Sequence, residues 1–259
     1  MKLDLRKRQA NGGQVEGLGD KKFSFTLPPT PSGKYALAQV DDYMHLRRGQ
    51  FLHHPPVSLQ LEARVSGHGL PGTWGFGFWN DPFSAGFGAG GMRRVLPVLP
   101  NAAWFFYGSD PNHLSLREGS PGSGFHAKVF QSPRLPAFLS PLALPIAPFL
   151  LWPSAARILR RLARILVKED AAAISVDVTE MHHYQLQVRE QGVVFLVDHQ
   201  PVFHSQLYPR GRLGLVIWID NQYFKLTADG EFGLGFLSTS KVQVLDVQNL
   251  TLTKINGYD

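Results

Sequence analysis

The residues of this chain with acid, base or metal chemistry to offer are scattered along it. His126 stands alone in G-F-H-A-K-V-F-Q (124–131), while Asp110, Glu118 and Asp220 are carboxyl groups close in sequence to aromatic stretches. Together they form a candidate set for general acid or base work on a small hydrophobic substrate. A plainer reading of His126 stands beside this one, a half-buried histidine satisfied by a neighbour. His53-His54 and His182-His183 are adjacent pairs, and neighbours on a strand point to opposite faces, so neither pair readily chelates one ion. Asp41-Asp42 offers two carboxylates, which in a loop are more commonly just solvated. The chain has no cysteine, which excludes disulfides, thiolate metal sites and a cysteine nucleophile. Loop carboxylates could supply a structural calcium site, but no ligand pattern compels one. No metal and no cofactor are expected.

The second kind of chemistry is stacking. In T-W-G-F-G-F-W-N-D (73–81) rings alternate with glycines, which is strand periodicity. One face carries Trp74, Phe76 and Phe78, the other Gly75 and Gly77 before Trp79. Glycine inside a strand marks a close approach by another backbone or by a ligand. The three rings are either core filling or the floor of a ligand site.

Alternation extends through most of the chain. K-F-S-F-T-L (22–27) is ended by prolines, and 35–40 is extended. V-S-L-Q-L-E-A-R-V-S (57–66) is the clearest strand, and its G-H-G-L-P-G turn suggests that it lies beside 73–81 as an antiparallel neighbour. N-A-A-W-F-F-Y (101–107) and 124–131 follow. After the insertion come a hairpin over 183–198, R-L-G-L-V-I-W-I (212–219) with Trp218, and 241–254. The glycine-rich run after Asp81 lacks a phosphate-loop pattern. Residues 1–20 read as a loose arm or a first edge strand.

Residues 133–173 break the pattern as one helical insertion. Proline punctuates its apolar first part, which contains Phe149, Leu150 and Trp152, so no single helix spans it. From Ser154, a plausible N-cap, the spacing predicts a helix to Lys168. Ala155, Ile158, Leu159, Leu162, Ile165 and Leu166 fall on one side, with Arg157, Arg160, Arg161, Arg164 and Lys168 largely on the rest. Such a basic amphipathic helix can pack as a lid, lie on an anionic membrane surface, or both.

A chain of 259 residues with 12 % aromatics, 26 glycines and 19 prolines suits many strands and tight turns in one domain spanning 1–259. Net charge is +6, compatible with anionic partners. The basic residues, however, gather on the predicted helix among aliphatics without interleaved aromatics, so nucleic acid is not expected as a partner. M-K-L-D-L-R-K-R lacks the apolar core of a signal peptide, and no uninterrupted apolar run reaches about 20 residues. A cytoplasmic location, peripheral to the inner face of a membrane if the helix binds one, is the expectation.

The order of segments resembles the concanavalin A-like lectin/glucanase superfamily, and most closely family-16 glycoside hydrolases, over roughly 55–255 apart from the insertion. Residues 72–79 look like the G-x-W-x-A-x-W strand of those proteins. Met181-His182-His183-Tyr184 stands at the W-H-x-Y element, with Met181 for its tryptophan. Val194 to Asp198 is similar to the V-x-F-x-V-D-G hairpin, and 242–252 to the closing strand. The resemblance implies an all-β jelly-roll sandwich of two antiparallel sheets. It also implies a catalytic strand E-[IL]-D-[IFV]-x-E at 101–108, where this chain has Ala102, Trp104 and Phe106. Retaining hydrolysis needs two flanking carboxyl groups, and none stands at those three positions.

The chain is therefore expected to bind without glycosidase activity, holding an apolar, polycyclic or glycan ligand in a concave aromatic groove. Its expected lining is Trp74, Phe76, Phe78, Trp79, Ala102, Trp104, Phe106, His126 and Trp218. The alternative is an enzyme with relocated chemistry, through acid or base groups or through conformation alone.

Overall fold

The computed structural model describes residues 4–19, 21–82, 98–117, 119, 122–133 and 152–255. Two seven-stranded antiparallel sheets form a jelly-roll sandwich. The first runs, edge to edge, β1 (Arg6–Ala10), β4 (Leu37–Asp41), β13 (Gly214–Asp220), β6 (Thr73–Trp79), β7 (Ala102–Gly108), β8 (Gly124–Gln131) and β9 (Lys168–Ala173). The second runs β12 (Gln200–Ser205), β11 (Gly192–Val197), β10 (His182–Arg189), β5 (Val57–Val65), β16 (Gln243–Lys254), β3 (Phe23–Leu27) and β2 (Gln14–Gly17). A small hairpin, β14 (Gln222–Leu226) and β15 (Phe232–Phe236), stands apart from both. Among the described residues the one α-helix is α1 (Pro153–Leu166).

Alternation explains why the sheets face each other as they do. Every second residue of the central strands is apolar, and these sets meet in one core: Phe76, Phe78, Phe105, Leu215 and Ile217 from the first sheet against Leu59, Leu61, Tyr184, Phe195 and Leu245 from the second. Trp74, Phe76 and Phe78 belong to this core, at 3 %, 0 % and 0 % exposure. Phe76 packs at 5.4 Å from Phe105 and 5.1 Å from Tyr184, ring centre to ring centre. Of the two readings of the opening aromatic stretch, core filling holds for these three rings. They therefore lie on the opposite side of the sheet from Trp104 and Phe106, contrary to the expectation of one shared groove.

Two further expectations change, and one open alternative is resolved. The turn after β5 carries the chain from one sheet to the other, so β5 and β6 are not neighbours; β5 pairs with β10 and β16 instead. The segment 168–173, expected within the helical insertion, is the edge strand β9, paired with β8 from Gln131↔Lys168 to His126↔Ala173. K-E-D-A-A-A has no apolar alternation to announce a strand. Of the two readings of the N-terminal stretch, the edge strand holds, and there are two of them, β1 and β2, one to each sheet.

The helix begins earlier than expected, with Trp152 at the N-cap and Pro153 in the first turn, where proline's missing N–H costs nothing. It packs by Ala156, fully buried, and Arg160, 4 % exposed. Its apolar side points outward: Ile158, Leu162, Ile165 and Leu166 are 59 %, 51 %, 72 % and 43 % exposed. Among the described residues no helix is long and apolar enough to cross a membrane. Phe149 and Leu150 lie outside the described residues.

Candidate functional site

The side of the first sheet turned away from the sandwich core carries a second cluster. The register places Trp218 opposite Gly75, Gly77 opposite Trp104, and Phe106 opposite His126 across β13, β6, β7 and β8. Directly opposed residues share a face. The result is an aromatic layer of Trp79, Trp104, Phe106, Phe130 and Trp218, with Ala102 beneath. Trp104 is its hub, 5.6 Å from Trp79, 5.8 Å from Phe106, 5.8 Å from Trp218 and 6.2 Å from Phe130 between ring centres.

The glycines of β6 make this layer possible. A Cβ on Gly75 would stand 2.8 Å from Cη2 of Trp218, and one on Gly77 would stand 2.7 Å from Cβ of Trp104. The close approach that glycine permits is thus already taken, at Gly75 by the Phe105 carbonyl and the Trp218 ring and at Gly77 by the β7 backbone at Ala103 and Trp104.

The layer is covered. Trp104, Phe106 and Trp218 are 3 %, 5 % and 9 % exposed, beneath Tyr43 and Phe51 from the segment after β4, Leu99 before β7, and Leu114 and Leu116 after it. The Asp41-Asp42 pair anchors the first of these covers and is not solvated: both residues are fully buried. Asp41 Oδ1 accepts the backbone N–H groups of Tyr43 and Met44 at 3.2 and 2.9 Å. Asp42 Oδ2 lies 2.5 Å from His53 Nε2, and its Oδ1 accepts the Leu215 N–H. An open groove was expected; the chain fills it with its own loops.

Within this layer some polar atoms have no partner. The indole Nε1 of Trp104 is buried without a hydrogen bond; the His126 ring nitrogens are buried with no hydrogen bond of good geometry, and only the Gly124 backbone stands near enough to favour the charged imidazole. The His126 ring sits 5.3 Å from that of Phe106. Burial, and then the neighbouring Lys128 charge, push its pKa down to about 3, so it is neutral near pH 7. Trp218 is different: its Nε1 donates to Thr73 Oγ1 at 2.9 Å, and Thr73 Oγ1 donates to Asp220 Oδ1 at 2.7 Å. Burial raises the Asp220 carboxyl to about 7, against the opposing effect of hydrogen bonds from Thr73, Gln222 and Tyr35. Tyr35 Oη donates to Asp220 Oδ2 at 3.4 Å.

Beside His126 lies a group of charges that sequence reasoning did not find. Lys128 is fully buried and lies 3.1 Å from Glu169 Oε1; it also donates to the Leu114 carbonyl. Burial lowers its pKa, and Glu169 opposes the shift. Glu169 accepts in addition from Ser115 Oγ at 2.9 Å and from the backbone N–H groups of Leu116 and Arg117 at 2.6 and 3.3 Å. Arg160 of α1 donates to the Ser115 carbonyl at 3.3 Å, tying the helix to the same knot. Lys128 stands two residues from His126 in β8 and so shares its face; its partner was hidden because β9 was unexpected.

Of the remaining candidates, Asp110 is exposed in a cleft of about 360 Å³ with His113 and Lys225, and none of the aromatic layer lines that cleft. Glu118 lies outside the described residues. A larger open cleft of about 840 Å³, lined by His54, Glu190, Tyr208, Arg210 and Arg212 among others, is likewise separate from the layer. Among the described residues no three acidic or histidine side chains are grouped so as to hold a metal ion.

No family model matches the chain, and no curated protein matches it. Solved structures similar to it include a Bacteroides ovatus mixed-linkage glucan family-16 glycoside hydrolase, with 8 % identity and a TM-score of 0.48 over 96 % of this chain and 94 % of that one. A glycoside hydrolase family protein from Mycobacterium thermorestibile has 13 % identity and a TM-score of 0.46, covering 92 % and 79 %. A legume lectin-like domain from Entamoeba histolytica has 9 % identity and a TM-score of 0.45, covering 97 % and 90 %. These are likenesses of chain path, and any functional reading stands on the residues of this chain.

Proposed function

We propose that this chain is a binding module, without glycosidase activity, whose ligand seats on the outer face of the first sheet against Trp104, Phe106 and Trp218. One observation carries the reading: the Trp104 indole N–H is buried without a partner inside an aromatic layer, beside a buried His126 imidazole whose one polar neighbour is the Gly124 backbone. A buried polar group normally finds a hydrogen bond, and leaving one unmade costs about 1–3 kcal/mol. A ligand that accepts from Trp104 and pairs with neutral His126, which offers one donor and one acceptor, would remove that cost.

The same chemistry narrows the ligand. Rings supply area and few polar contacts, and the buried Lys128 ammonium is already matched by Glu169. An apolar or planar small molecule with one or two acceptor atoms fits better than a charged one. A glycan would bring many hydroxyl groups to a face with few partners for them, and it is the runner-up ligand. Entry requires the segment carrying Tyr43 and Phe51, or the one carrying Leu114 and Leu116, to part from the layer.

Asp220 favours a second reading, that of an enzyme. A carboxyl group raised to about 7 is half-protonated near neutrality, as a general acid or base should be. Contact with an anionic membrane surface is a separate proposal that rests on α1. Native mass spectrometry of the purified protein, challenged with apolar polycyclic compounds and with oligosaccharides, tests the binding reading. An adduct in the parent chain that is lost in Trp104→Phe supports it. Adducts retained in that variant, or turnover abolished by Asp220→Asn without any retained adduct, would oppose it.

A further inference from the structure

The outward side of α1 is the least expected surface of the molecule. A helix lying on a domain buries its apolar stripe against that domain, and α1 does the reverse. It docks through Ala156 and Arg160, and Arg160 is held by the Ser115 carbonyl. The apolar ridge of Ile158, Leu162, Ile165 and Leu166 is left 43–72 % exposed, and Trp152 at the helix start is 61 % exposed. Along one flank of the ridge run Arg157, Arg161 and Arg164, all exposed, with Lys168 just beyond the helix end. Contiguous exposed apolar surface on this scale marks a place where something else docks.

We propose that α1 docks on an anionic phospholipid surface, lying in the plane of the interface with the ridge of Ile158, Leu162, Ile165 and Leu166 among the acyl chains and the arginine flank at the headgroups. Charge complementarity selects this occupant. An interfacial helix joins an apolar face to a polar face rich in lysine and arginine, and it gains from anionic headgroups. Two copies of α1 packed ridge to ridge would instead bring two arginine flanks together. The net charge of +6 acts in the same sense, favouring an anionic surface over a second copy of the chain. The side chains concerned are outside the core, so substituting them leaves the sandwich and the aromatic layer intact. The inference is independent of whether a ligand occupies that layer.

Flotation of the full chain with vesicles tests it. Vesicles of phosphatidylcholine containing phosphatidylserine should carry the protein up the gradient, and phosphatidylcholine alone should not. Ile158→Asp and Ile165→Asp should each weaken binding by roughly tenfold or more. Arg161→Glu and added salt should weaken it as well, whereas Val242→Asp, at an exposed apolar position just before β16, should not. Unchanged melting temperatures would certify that the variants are folded. No flotation of the parent chain, equal flotation with neutral vesicles, or full flotation of Ile165→Asp would overturn the proposal. So would a concentration-dependent dimer that Ile165→Asp dissolves, which would assign the ridge to a second copy.

Discussion

The Trp218 ring occupies the space that a side chain at position 75 would need: a Cβ on Gly75 would stand 2.8 Å from Trp218 Cη2. The same Cβ would press on the Phe105 carbonyl of the adjacent strand, which cannot move without disturbing the ladder. Gly75→Ala should therefore cost about 1–3 kcal/mol, the usual range for overpacking. Chemical denaturation of the variant measures this, and a change below a few tenths of a kcal/mol would mean that the layer is looser than described.

Glu169 and Lys128 form a buried pair whose members are unequally supported. Without Lys128, Glu169 still accepts from Ser115 and from two backbone N–H groups. Without Glu169, the Lys128 charge loses its counter-ion and those three donors lose their acceptor. Glu169→Leu should destabilise by about 3–5 kcal/mol, the cost of breaking a buried pair, and Lys128→Met by distinctly less. Equal losses in denaturant titrations would contradict this ordering.

His126 and Asp220 pull the pH dependence of stability in opposite directions. With the His126 pKa at about 3 in the fold, the unfolded chain binds the extra proton between about pH 3 and 6.5. Its contribution is complete above that window and is lost as pH falls through it. Asp220, near 7 in the fold, holds a proton that the unfolded chain releases above about pH 4. Its contribution is complete at low pH and is lost as pH rises towards 7. Relative to the parent chain, Asp220→Asn should gain stability with rising pH at up to about 1.4 kcal/mol per unit between about pH 4 and 7. His126→Phe should gain on acidification from about 6.5 to 3, and parallel profiles for the three proteins would refute both assignments.

Much of the sandwich was legible because period-two alternation is a direct consequence of strand geometry. β5, β6, β8 and β16 were all visible in this way. Which face of β6 looks inward was not legible, since alternation marks two faces without labelling them. The signal lay in the neighbours: Gly75 leaves room for a ring across the ladder, and Trp218 fills it. β9 escaped because K-E-D-A-A-A is an edge strand paired on one side only. For α1 the amphipathic pattern gave the helix and not its orientation, because a polar contact, Arg160 with Ser115, and the small Ala156 hold it in place. On the candidate site, the sequence supplied Trp104, Phe106, His126 and Trp218, and missed Thr73, Tyr35, Lys128 with Glu169, and the loops that cover the layer.

The binding reading is tested most directly by the indole N–H resonances of a ¹⁵N-labelled sample. The chain has five tryptophans, so five such signals are expected, and Trp104→Phe and Trp218→Phe identify two of them. Titration with a ligand found by mass spectrometry should shift the Trp104 signal most, as its unpartnered N–H gains an acceptor. The Trp218 signal, already bonded to Thr73, should move less. Saturation with that ligand while the Trp104 resonance stays in place would contradict the proposal that the aromatic layer is the binding site.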